Sequence, residues 1–242
     1  MKLTGCWLVL LVLSGCLWAQ GIQEKTVLSD TSPVFPLAKG TTWQYSGNIR
    51  WTEGIKVHSE SISWEMKVEK TILRRDGIEI AYIKGHPGDL CWYQKDKAPG
   101  NYLIARYRER YYLVTLKDNN WQKVAAKIVK KDGELSLADE KIELFLELPL
   151  YEGRRFADLN PKRSDNEYCW YVEKVTPASW SNLPVTSTRD GTIYQLTFKT
   201  NPDQTTYEFL PRVGIVSFNY RHSGTVAEVD LRLVRFVLPG KG

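Results

Sequence analysis

Polar and apolar side chains alternate strictly in one stretch of the chain, Ser61-Ile62-Ser63-Trp64-Glu65-Met66-Lys67-Val68-Glu69. A period of two places the apolar side chains on one face of an extended strand and the polar side chains on the other. Asp76-Gly77 then separates this run from a second one that begins at Ile78. Because this dipeptide favours tight hairpin turns, the sequence predicts two antiparallel strands joined at Asp76-Gly77.

The same alternation recurs in two later runs, whose apolar positions are Ile142, Leu144, Leu146 and Leu148, and Ala227, Val229, Leu231 and Leu233. Strands with one apolar and one polar face are typical of antiparallel sheets. Only one segment has helical spacing, with apolar residues at Trp121, Val124, Ala125, Ile128 and Val129, and Lys131-Asp132-Gly133 is predicted to end that helix. We therefore expect a mainly β fold (α+β possible), a curved antiparallel sheet or half-barrel with one or two short helices.

Two segments of the chain resemble each other, Phe35-Pro36-Leu37-Ala38-Lys39-Gly40-Thr41-Thr42-Trp43 and Leu148-Pro149-Leu150-Tyr151-Glu152-Gly153-Arg154-Arg155-Phe156. In each, Pro ends an extended piece, Gly permits a turn with positive φ, and the aromatic residue begins a strand. The similarity has two interpretations. Either the chain contains two related halves, or turns that lead into a sheet have converged on similar residues.

The composition is that of a folded domain. The chain has 242 residues, of which 43% are hydrophobic and 25% charged, and its net charge is +5. Its positive charges are dispersed, without the run of like charges that would predict a nucleic-acid-binding arm. After the signal-like N-terminus, no apolar run reaches the roughly 20 residues that cross a bilayer. We expect one β-rich domain over residues 34–238 and no nucleic-acid partner.

The N-terminus has the pattern of an export signal. Lys2 precedes the short apolar run Cys6–Leu13, which is too short to span a membrane and suits a cleaved secretory signal. Leu13-Ser14-Gly15-Cys16 follows and resembles the lipobox of bacterial lipoproteins, in which the cysteine becomes the lipidated first residue. The sequence thus predicts a signal peptide over 1–15, a lipidated Cys16, and a tether over 16–33. The alternative is an ordinary signal peptide cleaved after Ala19.

Two cysteines, Cys91 and Cys169, are present in the mature chain besides Cys16. In an exported protein an even pair is typically oxidised, so we predict a structural disulfide between them. Two separately buried thiols or a redox pair are the alternatives. Redox catalysis is the least favoured, because neither residue belongs to a Cys-x-x-Cys motif.

No established catalytic motif is present. The chain has no nucleophile elbow, zinc-protease helix, phosphate loop or dinucleotide fingerprint. Its histidines, His58, His86 and His222, are isolated in sequence, whereas a zinc site requires several converging ligands. We therefore predict no catalytic residues, no metal and no cofactor.

Arg106, Arg108 and Arg110 alternate with Tyr107 and Glu109 in a predicted strand. Three arginines on one face of a strand suit an anionic headgroup or a ligand carboxylate. The other interpretation is an exposed row of charges that discourages edge-to-edge strand pairing.

Four segments together resemble a group of uncharacterised bacterial lipoproteins: FPLAKGTTWQYSG (35–47), ELPLYEGRRF (147–156), VTPASW (175–180) and PRVGIVSFNYRHSGTVAEVDLRLVRF (211–236). The resemblance spans most of residues 34–237 and rests on turn and strand signatures. It implies a fold similar to the curved half-barrels of envelope lipid and lipoprotein carriers, and it assigns no catalytic residues.

Taken with the N-terminus, the resemblance leads to a functional expectation. The chain is expected to be a non-enzymatic envelope lipoprotein, attached to the membrane through its N-terminal lipid, that binds a lipid-like or other apolar ligand on the concave face of its sheet. The alternative is a structural or assembly subunit of an envelope protein complex. A hydrolase is less favoured.

Overall fold

The computed structural model describes residues 34–117, 120–138, 141–178 and 191–240. The predicted signal peptide, Cys16 and the tether lie outside these residues. Within the described ranges no helix is both long and apolar enough to cross a membrane.

The chain is built mainly from β-strands that form one curved, nearly closed antiparallel sheet of twelve strands. The strands within the described ranges are β1 Thr42–Glu53, β2 Lys56–Leu73, β3 Glu79–Lys84, β4 Asn101–Tyr107, β5 Arg110–Thr115, β6 Val129–Lys131, β7 Glu134–Ser136, β8 Ile142–Glu147, β9 Arg155–Phe156, β10 Trp170–Pro177, β11 Thr192–Lys199, β12 Asp203–Leu210, β13 Gly214–His222 and β14 Ala227–Val237. The strand order in the large sheet is β8-β5-β4-β3-β2-β1-β14-β13-β12-β11-β10-β9, and β6 and β7 pair separately. The predicted fold class is confirmed.

The predicted hairpin and the two later alternating runs are confirmed, except that Leu148 follows the end of β8. Asp76-Gly77 lies in the turn between β2 and β3, where Gly77 has φ +82° and Arg74 N–H donates to Ile78 O over 2.9 Å. The two later alternating runs form β8 and β14. In β14 the residues Ala227, Val229, Leu231 and Leu233 are all buried, as a period of two requires.

The sheet consists of two six-stranded meanders, and each meander is preceded by one of the two similar segments. Gly40 (φ +90°) donates its N–H to Val68 O of β2 over 2.8 Å, and Gly153 (φ +85°) donates to Val172 O of β10 over 2.9 Å. In each half, therefore, the glycine of the segment donates its N–H to the second strand of the meander. This agreement favours the interpretation that the chain contains two related halves.

The two meanders join at one side and remain apart at the other. The first strand of the first half, β1, pairs with the last strand of the second half, β14, over ten residue pairs. At this junction a Cβ on Gly47 would lie 1.9 Å from Asp230 O, so the close approach requires glycine. The equivalent strands on the other side, β8 and β9, are unpaired with each other among the described residues. We call this gap the seam.

The concave interior is filled. Phe35 is fully buried, and its ring contacts the rings of Trp43, Tyr111, Phe145 and Phe209 at centroid distances of 5.6–6.4 Å. The segment that leads into β1 thus occupies the middle of the half-barrel. Among the described residues, the part of the expected concave apolar face that we find open lies at the seam.

The outer face of β3, β4 and β5 is also covered. The helix α1 (Trp121–Lys127) and the β6–β7 hairpin pack on it through Trp121, Val124 and Leu135. The helix was predicted to continue to Val129 and to stop at Lys131-Asp132-Gly133, and this prediction is wrong. Ile128 is already extended (φ −65°, ψ +122°), Val129 begins β6, and Asp132-Gly133 form the β6–β7 turn. Consecutive β-branched residues favour the strand at this point.

Candidate functional site

A cavity of about 640 Å³ lies at the seam. It is bounded on one side by β8 and its neighbour β5, and on the other by β10, β11, β12 and the loop that follows β9. The lining residues are Arg110, Tyr112, Glu134, Leu135, Lys141, Ile142, Glu143, Leu144, Glu147, Ala157, Asp158, Leu159, Trp170, Phe198, Thr205 and Tyr207. Its volume is within the range of about 300–1,000 Å³ that is usual for small-molecule sites.

One wall of the seam cavity is aromatic. Trp170 of β10 contacts Phe198 of β11 at a ring-centroid distance of 5.3 Å and stacks on Tyr207 of β12 at 4.9 Å. Trp170 pairs with Phe198 in the sheet register, so both side chains project from the same face. The three rings form a continuous apolar surface suited to an apolar ligand.

The opposite wall carries charges that are already paired. Glu147 accepts from Arg110 Nε over 2.6 Å and lies 3.1 Å from Nη2 of Arg154. Lys141 lies 2.5 Å from Glu143 on the more exposed rim. The ion pair around Glu147 is partly buried, which makes it stronger than a surface pair, and it fixes the end of β8 beside β5.

Tyr112 is the buried polar group of this cavity. It is 3% exposed, and its hydroxyl makes no hydrogen bond to any described residue. Burial raises the pKa of Tyr112, while the Leu135 N–H and the Arg110 guanidinium nearby oppose that rise. The charge of the Glu134 carboxylate adds to the rise.

A second polar cluster lies in the connection between β3 and β4. His86 is 2% exposed; its Nδ1 accepts from Gly88 N–H over 3.1 Å, and its Nε2 makes no hydrogen bond to the described residues. Burial lowers the pKa of His86 to about 4, so the ring is neutral at pH 7. Asp89 accepts from Gly100 N–H over 2.8 Å and from the Tyr102 hydroxyl. These hydrogen bonds hold the β3–β4 connection in place, so the cluster has a structural role.

An acid–base pair lies near this cluster, since Cys91 is affected by the charges of both Asp89 and Asp203. His222 Nδ1 is 2.8 Å from Asp203 Oδ1, which also accepts from the Tyr220 hydroxyl over 2.6 Å. Burial raises the pKa of Asp203, but the hydrogen bonds from Tyr220 and His222 outweigh it and leave the pKa lowered. Trp92 covers His222 at a ring-centroid distance of 4.8 Å. None of these residues lines the seam cavity.

The predicted disulfide is absent, because Cys91 and Cys169 are both free thiols. The two thiols lie beside different charged side chains. Burial, followed by the charges of Asp203 and Asp89, raises the pKa of Cys91 to about 12. Cys169 is buried and lies beside Arg155. Each cysteine therefore acts as a small core residue with an unreactive thiol.

The three arginines do not lie on one face of one strand, and this placement was predicted wrongly. Arg108 (φ +56°) is in the turn between β4 and β5, so the strand reverses within the triplet. Arg106 Nε pairs with Glu79 over 2.9 Å, and Arg108 lies over the Tyr107 ring. Only Arg110 reaches the seam cavity. A contact with an anionic headgroup remains a prediction for each of them.

No group of three or more His, Cys, Asp or Glu side chains is placed to bind a metal ion within the described ranges. The residues that the sequence did not single out are the aromatic wall and Tyr112. Trp170, Phe198 and Tyr207 belong to three different strands, so only the pairing of those strands brings them together. In the sequence, Phe198 and Tyr207 alternate with polar neighbours, whereas Trp170 stands between Cys169 and Tyr171.

No protein-family model matches this chain. No curated protein matches it.

Two crystal structures are similar to it at low sequence identity. One is a "putative lipoprotein" from Parabacteroides distasonis, with 12% identity, a TM-score of 0.42, and coverage of 86% of this chain and 100% of the other. The second is a "putative exported protein with YmcC-like fold" from Bacteroides fragilis, with 10% identity, a TM-score of 0.36, and coverage of 85% and 99%. Similarity at this level does not bear on the function of the present chain.

Proposed function

We propose that this chain is an exported, lipid-anchored protein of the bacterial cell envelope that binds an elongated apolar ligand at the seam. The observation that carries the proposal is the aromatic wall of the seam cavity. Trp170, Phe198 and Tyr207 present apolar surface to a space of about 640 Å³. A half-barrel without a ligand would gain stability by closing this gap.

The paired charges at the seam support a ligand-binding function and do not support a catalytic one. Catalytic carboxylates require environments that separate their pKa values. Here Glu147 is held between Arg110 and Arg154, and Glu143 is paired with Lys141. The Asp203–His222 pair lies outside the cavity lining. We therefore assign no catalytic role to the described residues.

The anchoring part of the proposal rests on the lipobox-like sequence at Cys16. Changing Cys16 to Ser should release the protein from the membrane fraction, because the acyl chains attach to the cysteine thiol. The folded domain should be unchanged in thermal unfolding. A Cys16→Ser protein that still sediments with membranes would contradict the anchor.

The ligand-binding part is tested with the full chain carrying Cys16→Ser and an apolar fluorophore, N-phenyl-1-naphthylamine. Phe198→Ala removes one ring of the aromatic wall and should weaken binding by about ten-fold, because the fluorophore then buries less apolar surface. Phe236→Ala is the matched control, since Phe236 is also half-buried but packs on Trp43 at the β1–β14 junction. Absence of binding, or equal weakening by both substitutions, would refute the seam as the site.

A second candidate function is supported by the exposed edge of β8. This strand pairs only with β5 among the described residues, so its outer backbone groups are available for a further strand. An assembly subunit would use this edge to bind another envelope protein. A single dominant partner in crosslinking from the Lys141 rim would support this function, and an unmodified monomer would count against it.

A further inference from the structure

Two arginines occupy equivalent turns in the two halves of the sheet, each in a conformation that arginine rarely adopts. Arg108 (φ +56°) lies in the β4–β5 turn, and Arg212 (φ +67°) lies in the β12–β13 turn. Each of these turns follows the fourth strand of a six-stranded meander. Glycine or asparagine adopts positive φ at lower cost, so the backbone does not favour arginine at either position. Strain that is kept at the same place in both halves indicates a function for the two side chains.

Both turns lie at the end of the half-barrel where the chain enters the fold. Neighbouring strands are antiparallel, so the β2–β3, β4–β5 and β12–β13 turns and the last residue of β14 lie at one end, which we call the entry end. Val34, the first described residue, donates its N–H to the Tyr111 hydroxyl of β5 over 3.0 Å, and its carbonyl accepts from the Arg212 N–H over 2.6 Å. The chain therefore enters the fold between β5 and the β12–β13 turn.

The entry end has an excess of positive charge that the opposite end lacks. In the segment before β1 and in the β2–β3, β4–β5 and β12–β13 turns, five cationic side chains occur with two acidic ones: Lys39, Arg74, Arg75, Arg108 and Arg212 with Asp76 and Glu109. At the opposite end, the β3–β4 and β9–β10 connections hold four cationic and five acidic side chains: Lys95, Lys97, Lys162 and Arg163 with Asp89, Asp96, Asp158, Asp165 and Glu167. The entry end is thus the one suited to an anionic surface.

The predicted anchor favours contact with the membrane through the same end. Exposed apolar side chains do not distinguish the ends, because Leu73 and Leu238 at the entry end are matched by Ile55 and Leu159 at the other. The eighteen residues 16–33 span at most about 60 Å when fully extended, and β1 with its twelve residues extends over about 40 Å. To bring the opposite end to the bilayer, the tether would have to run alongside the domain at roughly two thirds of full extension.

We propose that the entry end is a membrane-contact face, at which Arg108 and Arg212 bind the headgroups of anionic phospholipids. A guanidinium group suits a phosphate, because it can donate two parallel hydrogen bonds. Arg106 and Arg110, the neighbours of Arg108 in the sequence, are each paired with a glutamate instead. This inference rests on the lipid anchor of the proposed function, which decides the end that meets the bilayer, and it adds a second contact that depends on charge. It is independent of ligand binding at the seam.

The test is sedimentation of the full chain carrying Cys16→Ser with vesicles of phosphatidylcholine that contain about 30% phosphatidylglycerol. Because this protein has no acyl chains, its binding reports the protein surface alone. It should sediment with the anionic vesicles at low ionic strength and be released at about 0.5 M NaCl, where the charges are screened. It should not sediment with vesicles of phosphatidylcholine alone.

Two double variants locate the binding surface. Arg108→Asn with Arg212→Asn removes two charges and introduces residues that adopt positive φ readily. Binding to the anionic vesicles should weaken by about ten- to thirty-fold, whereas the melting temperature should not fall, because the backbone strain is relieved. Lys95→Asn with Lys162→Asn is the matched control, since it removes the same charge from exposed positions at the opposite end. The control should bind like the parent protein.

Three results would overturn the membrane-contact face: unchanged binding in the arginine double variant, equal weakening in both double variants, or a parent protein that does not prefer the anionic vesicles. None of these results affects the anchor, which is tested on the wild-type protein. An acylated protein stays in membranes washed with about 0.5 M NaCl, whereas a protein held only by charge is released. Release of the wild type in that wash would refute the anchor of the proposed function.

Discussion

Burial of His86 makes the free energy of unfolding of this protein depend on pH. Burial lowers the pKa of His86 from 6.5 to about 4, so between these values the unfolded chain binds a proton that the folded chain excludes. The stabilising contribution of the neutral ring is complete above pH 6.5 and is lost as the pH falls towards 4. At about 1.4 kcal/mol per pKa unit, the difference amounts to about 3 kcal/mol.

The comparison of wild type with His86→Phe isolates this contribution. Phenylalanine keeps an aromatic ring beside Tyr102 and Tyr207 but does not titrate. The raised pKa of Asp89, caused by burial, acts in the opposite direction and is common to both proteins. Urea unfolding at pH 7 and pH 4 should show that the wild type loses about 3 kcal/mol more than the variant. If the two proteins lose the same free energy, the assignment of a depressed pKa to His86 is wrong.

Three further substitutions test the packing of the half-barrel. Phe35→Ala should lower the free energy of unfolding by about 3–5 kcal/mol, because it empties the centre of the core; a change within about 1 kcal/mol in chemical denaturation would contradict the filled interior. Gly47→Ala should prevent stable folding, since its Cβ would lie 1.9 Å from a backbone oxygen of Asp230, whereas Gly240→Ala, with no atom within 4 Å of its Cβ, should melt like the wild type. Glu147→Leu should cost about 3 kcal/mol in denaturant unfolding, because it leaves two arginines without their shared carboxylate.

The sheet was predictable from the sequence because each strand carries its own pattern. The run from Ile62 to Val68 alternates by itself, and Asp76-Gly77 specifies a hairpin without reference to any other part of the chain. The last strand, Ala227–Val237, shows the same local regularity. Local patterns of this kind determine fold class, since strand period and turn chemistry depend on near neighbours.

The features that sequence reasoning missed depend on contacts between distant parts of the chain. Phe35 precedes the first strand and has no periodicity, yet it packs against Phe209 at the centre of the core. The Arg106–Arg110 triplet alternates like a strand, but positive φ at Arg108 reverses the chain within it. The disulfide between Cys91 and Cys169 was predicted from their even number, which gives no information about the distance between them. Each of these outcomes is set by tertiary packing, which overrides local preference.

The seam is a retained feature and not an incomplete closure, because the backbone beside it is held in an unfavourable conformation. The first half begins with β1, which has twelve residues, whereas the second half begins with β9, which has two. The residue that follows β9 is Ala157, a cavity-lining residue with φ +50°. This conformation costs a non-glycine residue roughly 1–2 kcal/mol. Asp158 pairs with Arg155 over 2.7 Å and holds the turn. An extended conformation at Ala157 would avoid this strain, so the backbone beside the opening is held against its local preference, as is common at binding sites.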